Sequence, residues 1–427
     1  VDYGKMLWEQ LIRSNDQIFM TLNGHFHGSS RLVKKNDFGN DVLEMVVDYQ
    51  MAYQGGNGLM RYYELDLTNN RIHALSFSPW VPQKPKNTLN SFDQAMLTED
   101  NHQFTVSLNF AERFKRFAPN FKAATPSNTS LTAATTKLIT DGFTEVPAPP
   151  ATPAANAEDY AKVEGTTVHW RFYGGANGSN VAVGHVIADA SGNNNPLVRA
   201  PLNMPATNTA QDADLSWSDD RHHLSAAPGS VVFKNAGGPR LSYFWNDLAA
   251  QMNDDRFEQG YTVEAFIKIA ANWTAATNAW MNIMTRQGRR GSIPGWQGGL
   301  PESPPLQMAI SNLREVQWEP ATFVANPGEV RARTAWSGEI LVDRWLHLAV
   351  VNDPATRTTT MYVEGAPVLR NPVDTVGLAN LGLRWVVGAG SWDGGAPSGG
   401  FLGSIGEIRV VPKPLAPAQW LTARAPK

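Results

Sequence analysis

Two histidines one residue apart, His25 and His27, are the residues whose chemistry stands out first. They lie in NGHFHG, residues 23 to 28, directly after the apolar run IFMTL. Neutral imidazole is a common metal ligand, and the flanking Gly24 and Gly28 let the backbone turn sharply around a bound ion or anion. A short His-x-His pattern also occurs as a solvated or hydrogen-bonded pair. These six residues leave open whether the pair is half of a metal site or an ordinary loop.

The elements before the pair must position it. Ile18 to Leu22 is short, apolar and rich in β-compatible residues, which predicts a buried strand that stops at Asn23 and Gly24. In an extended segment, side chains two residues apart point the same way, so both imidazoles can face one place. A helix is predicted over Lys5 to Ser14, with Leu7 and Leu11 on one face.

Composition excludes several classes of protein. A chain of 427 residues predicts about two or three domains. A net charge of -3 without any Lys/Arg-rich run predicts no nucleic-acid partner. The chain has no cysteine, which removes disulfides, thiolate metal sites and cysteine nucleophiles together. Because no apolar stretch approaches the roughly 20 residues that a bilayer requires, no membrane span is predicted.

Three zones differ in composition. Residues 1–122 combine the helix candidate with strands such as VLEMVVDY and LMRYYELDL, whereas residues 123–158 form an Ala/Thr/Pro-rich linker. Residues 159–427 contain many short strand candidates separated by Gly, Pro, Asn and Asp turns. Among these candidates are YTVEAFIKI, PPLQMAISNL, WLHLAVVN, TTTMYVEG, WVVGAG and FLGSIGEIRVV. Their regular spacing predicts an antiparallel β-sandwich of jelly-roll type in a chain that is mostly β.

The first zone resembles the C-terminal part of exported bacterial calcineurin-like metallophosphoesterases. NGHFHG matches the last metal motif of that family, Gly-His-x-His, and VVDYQMAYQGGNGLMRYYELDLTNNRIHALSFSP matches the strands and loop that follow it. The resemblance implies a partial α/β metallophosphoesterase sandwich. In the complete enzyme, two divalent metal ions (Fe, Mn or Zn) share a bridging aspartate and a hydroxide that attacks the phosphorus of a phosphate ester. By motif, His27 would ligate the first metal and His25 the second.

Most of the family's metal motifs are missing. Asp-x-His, Gly-Asp-x-x-Asp, Gly-Asn-His-Asp/Glu and a single His precede Gly-His-x-His in the family, but only 24 residues precede His25 and none of these motifs is among them. Two imidazoles without carboxylates suit two hard divalent ions poorly. The resemblance therefore predicts that this chain alone is inactive. An N-terminal fragment would have to supply the remaining ligands, and the complete enzyme would be extracellular or periplasmic.

The third zone resembles a laminin-G-like, concanavalin A-like jelly roll. HWRFYGG is similar to its opening strand, YTVEAFIKI to a central strand, WLHLAVVNDPATRTTTMYVEG to a late hairpin and GFLGSIGEIRVV to the closing strand. This fold hosts sugar binding, protein contact and scaffolding alike. The alternative to the phosphoesterase is therefore a non-catalytic module that binds glycan or protein, or is purely structural.

Other residues invite a functional interpretation. Asp189, Asn193 and Asn195 offer oxygen ligands for calcium in a tight turn, or act as Asx-turn caps. Glu264 and Glu407 lie on predicted strands like a glucanase pair, but the resemblance implies no such chemistry. We assign Asp220 with His222, and Asp100 with His102, to no metal site because both pairs follow the final motif. His222 and His223 are predicted to form a solvated corner. Six tryptophans could include a sugar-stacking platform, although most are expected to pack: Trp273, Trp280, Trp318, Trp336, Trp345 and Trp392.

Overall fold

The computed structural model describes residues 3–26, 28–50, 52–84, 89, 93–122, 130–141, 152–235, 238–324, 328–371, 376–393 and 396–425. The chain divides into two compact units, Val1–Pro150 and Ala151–Lys427. None of the helices in these ranges is long and apolar enough to cross a membrane.

In its described residues, the first unit contains two small sheets and short helices. Its helices are α1 Tyr3–Leu7, a π-helical turn Trp8–Ile12, α2 Tyr53–Gly56, a 3-10 turn Val81–Gln83, α3 Phe110–Phe114 and α4 Leu131–Asp141. Its strands are β1 Met20–Asn23, β2 Gly28–Lys35, β3 Asp41–Asp48, β4 Met60–Asp66, β5 Arg71–Phe77, β6 Met96–Leu97 and β7 Gln103–Ser107. One sheet has the order β1-β3-β2, and in the other β5 pairs with β4, β6 and β7.

The N-terminal helix buries different side chains from those its sequence indicated. Leu7 and Leu11 are about half exposed, whereas Trp8 and Ile12 are buried and pack with Val42. The backbone changes from α-helical to π-helical geometry at Trp8. Trp8 and Ile12 have the same four-residue spacing as Leu7 and Leu11, so spacing alone did not decide which pair packs against Val42.

Strand β1 is shorter and more exposed than the predicted buried strand. It begins at Met20, and its Leu22 is 60% exposed. Within the described residues β1 pairs only with β3, in parallel, from Met20 opposite Leu43 to Asn23 opposite Val46. The apolar run therefore forms the edge of a sheet rather than its interior.

Part of the predicted linker belongs to the first unit as helix α4. Ile139 of this helix is buried against Leu75 and Phe77 of β5. At its N-terminus, Glu64 accepts hydrogen bonds from the backbone N–H groups of Leu131 and Thr132 at 2.8 and 2.9 Å. A carboxylate at this position satisfies otherwise unpaired amides and opposes the helix dipole.

The second unit is a β-sandwich. Its strands are β8 Val168–Arg171, β9 Val186–Ile187, β10 Leu197–Arg199, β11 Leu215–Ser218, β12 Ser230–Lys234, β13 Phe244–Asn246, β14 Tyr261–Ile269, β15 Met281–Arg286, β16 Leu306–Ile310, β17 Glu315–Phe323, β18 Val330–Ala332, β19 Ala335–Glu339, β20 Trp345–Asp353, β21 Thr358–Val363, β22 Ala366–Asn371, β23 Trp385–Val387, β24 Gly390–Asp393, β25 Ala396–Ser398 and β26 Leu402–Val411. The short helices are Asp212–Asp214, Gln251–Asp254, α5 Ala275–Asn278, Arg290–Ser292 and Pro417–Gln419.

Two large antiparallel sheets form this sandwich. Within the described residues, sheet A has the order β11-β12-β26-β14-β20-β21-β22, with β8 on β26. Sheet B has the order β18-β17-β16-β15-β23-β13-β10-β9, with β19 on β17. Inward side chains from both sheets make one large core, which includes Trp170, Ile267 and Trp318. The mostly β, antiparallel, jelly-roll-like architecture predicted from the sequence is confirmed.

The outer face of sheet A is covered by two irregular segments. We call residues 152–166 the N-terminal strap and residues 413–425 the C-terminal strap. Tyr160 and Leu421 from the two straps pack with Phe266 of β14, and Trp420 packs with Val351 of β20. The outer face of sheet B is also largely covered, since Thr285, Val386 and Gln307 on this face are buried.

Candidate functional site

The structure describes only one of the two predicted metal ligands. His25 follows β1, is exposed and has a φ of 72°, and its ring contacts Phe26 edge-on at 5.6 Å. His27 lies outside the described residues. In the described ranges no three His, Asp or Glu side chains converge as a metal site. A two-metal centre therefore does not fit the described donors of this chain, and we derive no step through a metal.

His102 and His222, which the sequence assigned to no metal site, both contact other side chains of the protein. His102 Nδ1 lies 2.8 Å from the Tyr49 hydroxyl, and burial together with the nearby Arg61 guanidinium lowers the pKa of His102. His222 is buried, stacks on Phe266 at 4.9 Å and lies 3.2 Å from Glu364. The prediction of a solvated corner is therefore wrong for His222, because the outer face of sheet A is covered at this position.

The candidate calcium turn uses its oxygens to cap the backbone. Asp189 Oδ1 accepts from the backbone N–H groups of His169 and Ser191 at 3.0 and 2.9 Å, and its Oδ2 accepts from the Asn195 N–H at 3.1 Å. Asn193 donates to the Thr166 carbonyl at 2.7 Å. These bonds match an Asx-turn network, and the calcium assignment stays a prediction.

The two strand carboxylates belong to buried ionic clusters. Glu264 Oε2 accepts from Arg409 Nε at 2.8 Å, and its Oε1 lies 3.1 Å from His347 Nε2. Glu407 Oε2 accepts from Arg171 Nε at 2.9 Å and lies 2.9 Å from His169 Nε2. Both carboxylates lie beneath the straps, where a substrate has no access.

The environment keeps both carboxylates ionised. Burial alone would raise the pKa of Glu407, but the hydrogen bond and charge of His169 and the Arg171 guanidinium outweigh it and lower the pKa to about 2. For Glu264, burial is likewise opposed by Arg409 and His347, and its pKa is lowered. A general acid needs a raised pKa. The geometry and charge of this pair therefore support a structural role.

The outer face of sheet B presents a continuous row of cross-strand neighbours. Strand register places Val186 opposite Val198, Val198 opposite Trp245, and Trp245 opposite Val386. The row continues from Val386 through Thr285 and Gln307 to Glu319. Directly opposed residues in antiparallel strands point to the same face. One end of this face is therefore apolar and the other polar.

The polar end holds a hydrogen-bonded group of planar side chains. Gln307 Nε2 donates to Gln317 Oε1 at 3.0 Å and to Glu319 Oε2 at 2.6 Å. Arg290, from the loop that follows β15, donates to the same Glu319 oxygen at 2.7 Å. The Oε1 of Gln307 is a buried acceptor without a partner among the described residues. A donor that reached this oxygen would recover the cost of burying it.

Two tryptophans border this polar group. Trp336 of β19 lies opposite Gln317 and therefore on the same face. Its ring packs edge-on against Trp280 at 6.3 Å, and Trp280 is 41% exposed. We call Trp280, Gln307, Gln317, Glu319 and Trp336 the Trp–Gln patch. Trp336 is partly exposed, whereas Gln307, Gln317 and Glu319 are only 5–7% exposed. The two indoles therefore form the accessible part of the patch, and an exposed indole face can stack on the apolar face of a ring.

The other predicted tryptophans have different environments. Trp318 lies in the core, and Trp273 packs against the core and donates to the Asn278 carbonyl. Trp345 packs on the outer face of sheet A, and the side chain of Trp392 lies outside the described residues.

Sequence reasoning missed Gln307, Gln317, Glu319 and Arg290. The alternation of polar and apolar residues in LQMAI and EVQWE carried the available signal, because it places these amides and the carboxylate on the face opposite the core. Nothing in that alternation indicated that β16, β17 and β19 would be neighbours.

Comparison with known proteins supports the jelly roll. Residues 246–419 match Laminin_G_3, described as the concanavalin A-like lectin/glucanases superfamily. These residues are therefore a laminin-G-like jelly-roll domain, as the sequence indicated. A further match covers 124 residues at 27% identity to the uncharacterized protein YvnB of Bacillus subtilis (strain 168). It takes in 28% of this chain and 9% of YvnB, so the chain spans less than a tenth of that relative.

Solved structures that match the chain share little of its sequence and have low TM-scores. The binding domain of botulinum neurotoxin serotype G matches with 10% identity and a TM-score of 0.36, covering 59% of this chain and 48% of that one. Domain 4 of AbnA, a GH43 extracellular arabinanase from Geobacillus stearothermophilus in complex with arabinotriose, matches with 16% identity and a TM-score of 0.34. The match covers 62% of this chain and 98% of that domain. The Ruminococcus gnavus IT-sialidase CBM40 bound to α2,3 sialyllactose matches with 14% identity and a TM-score of 0.31. The match covers 40% of this chain and 84% of that one. Scores this low carry no argument about function. None of these similarities supports the metallophosphoesterase interpretation.

Proposed function

We propose that the chain is a non-catalytic binding module whose jelly roll recognises carbohydrate through the Trp–Gln patch. The observation that carries the proposal is the placement of Trp336 beside Gln317, with Gln307 and Glu319 continuing the same face. A sugar ring offers an apolar face on which the indoles of Trp280 and Trp336 can stack, and the buried amides beneath them hold the strands that carry Trp336. The superfamily that residues 246–419 match includes lectins by its description, which agrees with this function.

The charges of the patch favour a neutral ligand. Arg290 lies 2.7 Å from Glu319, and both side chains are almost completely buried. Because each neutralises the other, neither remains as a free charge for an acidic or basic sugar. We therefore expect neutral polysaccharides to bind better than anionic ones.

Replacing Trp336 by alanine is expected to weaken polysaccharide binding about tenfold or more, since buried aromatic anchors dominate binding energies. Affinity electrophoresis and calorimetry of the 427-residue chain with a panel of neutral and anionic polysaccharides measure the effect. Trp80→Ala is the matched control, because Trp80 is also exposed but lies in the other unit. Equal affinities of the Trp336 and Trp80 variants would contradict the site. If the chain bound a protein ligand but no polysaccharide, the partner would be a protein and the carbohydrate proposal would be wrong.

A second candidate function is the phosphoesterase of the sequence resemblance. It is favoured by the edge strand β1, which ends next to His25 and leaves its outer side without a partner in the described part of the chain. We propose that an N-terminal fragment with the missing motifs pairs with this edge and supplies the carboxylates. His25 and His27 would then be among the ligands of the divalent ions held mainly by those carboxylates, and the ions would supply the hydrolytic chemistry of the complete enzyme.

Co-expression with such a fragment tests this function. Phosphate-ester hydrolysis with manganese, iron or zinc is expected only for the pair of chains, and His25→Ala and His27→Ala should each abolish it. His73→Ala is a suitable control, because His73 lies in β5 and bonds to Thr105 at 2.8 Å. Failure of the two chains to associate, or full activity of the His25 variant, would rule the proposal out.

A further inference from the structure

A buried lysine in the first unit is surrounded by side-chain oxygens. Lys84 Nζ lies 2.6 Å from each of Gln54 Oε1, Asn57 Oδ1 and Asp93 Oδ1. The side chains of Lys84 and Asp93 are 10% and 1% exposed, and Asn57 is 3% exposed. The ammonium also lies 5.3 Å from the centre of the Tyr53 ring. Water is therefore largely excluded from this cluster.

Asp93 contacts both of the groups that could react. Its Oδ1 accepts from Lys84 Nζ and also from Asn57 Nδ2, at 3.0 Å. A primary amine, a carboxamide carbon and a carboxylate that touches both nitrogens together form a nucleophile, an electrophile and a proton shuttle. Burial lowers the pKa of Lys84, although the contact with Asp93 acts in the opposite direction. A desolvated lysine is more easily converted to the neutral, nucleophilic amine.

The backbone presents Asn57 in a strained turn. Five consecutive residues, 54 to 58, have positive φ, with values of 53° at Gln54 and 50° at Asn57. The glycines are required, since a Cβ at Gly56 would lie 2.9 Å from the Tyr49 carbonyl oxygen and one at Gly58 2.7 Å from Trp80 Cβ. Non-glycine residues adopt this conformation only where the surroundings impose it. The turn is thus shaped to bring the Asn57 carboxamide to Lys84.

We propose that Lys84 and Asn57 form an intramolecular isopeptide bond and that Asp93 shuttles the protons. Asp93 takes one proton from the Lys84 ammonium, and the neutral amine attacks Cγ of Asn57. As the Nζ–Cγ bond forms, Asp93 passes that proton to Nδ2 and takes a second proton from Nζ. The Cγ–Nδ2 bond breaks and ammonia leaves, taking the proton from Asp93 as ammonium. The reaction needs no oxidant, metal or cofactor.

The bond would cross-link the first unit covalently in a chain that has no cysteine. It joins the turn before β4 to the segment after β5, so it closes a loop that contains both of these paired strands. A covalent link of this kind restricts the unfolded chain as a disulfide does. It also holds the strained turn in place, because the Asn57 side chain cannot leave Lys84.

Intact-mass measurement of the purified 427-residue chain tests the proposal. We expect a mass about 17 Da below that of the sequence, because one ammonia is lost. After proteolysis, the fragment that contains Asn57 should be joined to the fragment that contains Lys84. Lys84→Arg and Asp93→Asn should both restore the full mass. Circular dichroism and tryptophan emission matching the wild type would show that these variants are folded.

The same experiment distinguishes the Lys84–Asn57 bond from other reactions of this cluster. Asn57 precedes Gly58, and cyclisation to a succinimide at that pair also loses one ammonia. That loss would persist in Lys84→Arg and leave the two fragments unlinked, which would overturn the proposal. A loss of about 18 Da, one water, would place the bond on Asp93 instead. An unchanged wild-type mass would show that the cluster is only an ion pair.

Discussion

Replacing Arg409 by methionine is expected to destabilise the second unit by about 3–5 kcal/mol, the usual cost of leaving a buried charge without its partner. Glu264 lies opposite Arg409 across β14 and β26, and both side chains are almost fully buried. Arg409 also donates to the carbonyl oxygens of Ala161 and Gln419, at 2.7 Å each. The substitution therefore removes the counter-charge of Glu264 and the anchor of both straps.

The paired variant Glu264→Leu with Arg409→Met separates these contributions. Replacing both members of a buried ion pair by apolar residues is often neutral or stabilising, so the double variant should recover much of the loss. Denaturant unfolding followed by tryptophan emission measures it, because of the 14 tryptophans only Trp8 and Trp80 precede residue 151. If Arg409→Met alone unfolds at the wild-type midpoint, the ionic cluster contributes nothing to stability.

Lowering the pH should reduce the stability of the second unit, because Glu407 becomes protonated. Its pKa is lowered from 4.5 to about 2, as burial is outweighed by His169 and Arg171. A carboxylate with a depressed pKa in the folded state contributes stability above its unfolded pKa and loses it as the pH falls through the folded pKa. The loss should therefore occur between about pH 4.5 and about pH 2, and amounts to about 3 kcal/mol.

Comparison with Glu407→Gln isolates this contribution. At pH 7 the variant should be less stable than the wild type, and the difference should shrink as the pH falls from about 4.5 to about 2. Unfolding midpoints measured at a series of pH values provide the test. Glu258→Gln is the control, because Glu258 is exposed and its contact with Arg256 spans 3.9 Å. A difference that stays constant across this range would exclude Glu407 as the titrating group.

The local pattern of residues was sufficient to predict the strands of the jelly roll. YTVEAFIKI is strand β14 from its first residue to its last, and WLHLAVVN and TTTMYVEG form the β20–β21 hairpin. These segments combine β-branched and aromatic residues with polar turns at their ends, and burial in the sandwich agrees with that preference. Where tertiary packing opposed the local pattern, prediction failed. Strand β1 lies at a sheet edge, and the first helix buries Trp8 rather than Leu7.

By itself, the sequence determined the strands of the second unit, the His25–His27 pair and the absence of thiol chemistry. Only the tertiary structure decided which side chains meet. Glu264 meets Arg409 and Trp336 lies beside Gln317 because strand order and register bring distant segments together. The Lys84 cluster likewise depends on a left-handed turn and a segment that follows another strand. Such contacts are set by the packing of the whole unit, and the spacing of residues along the chain does not encode them locally.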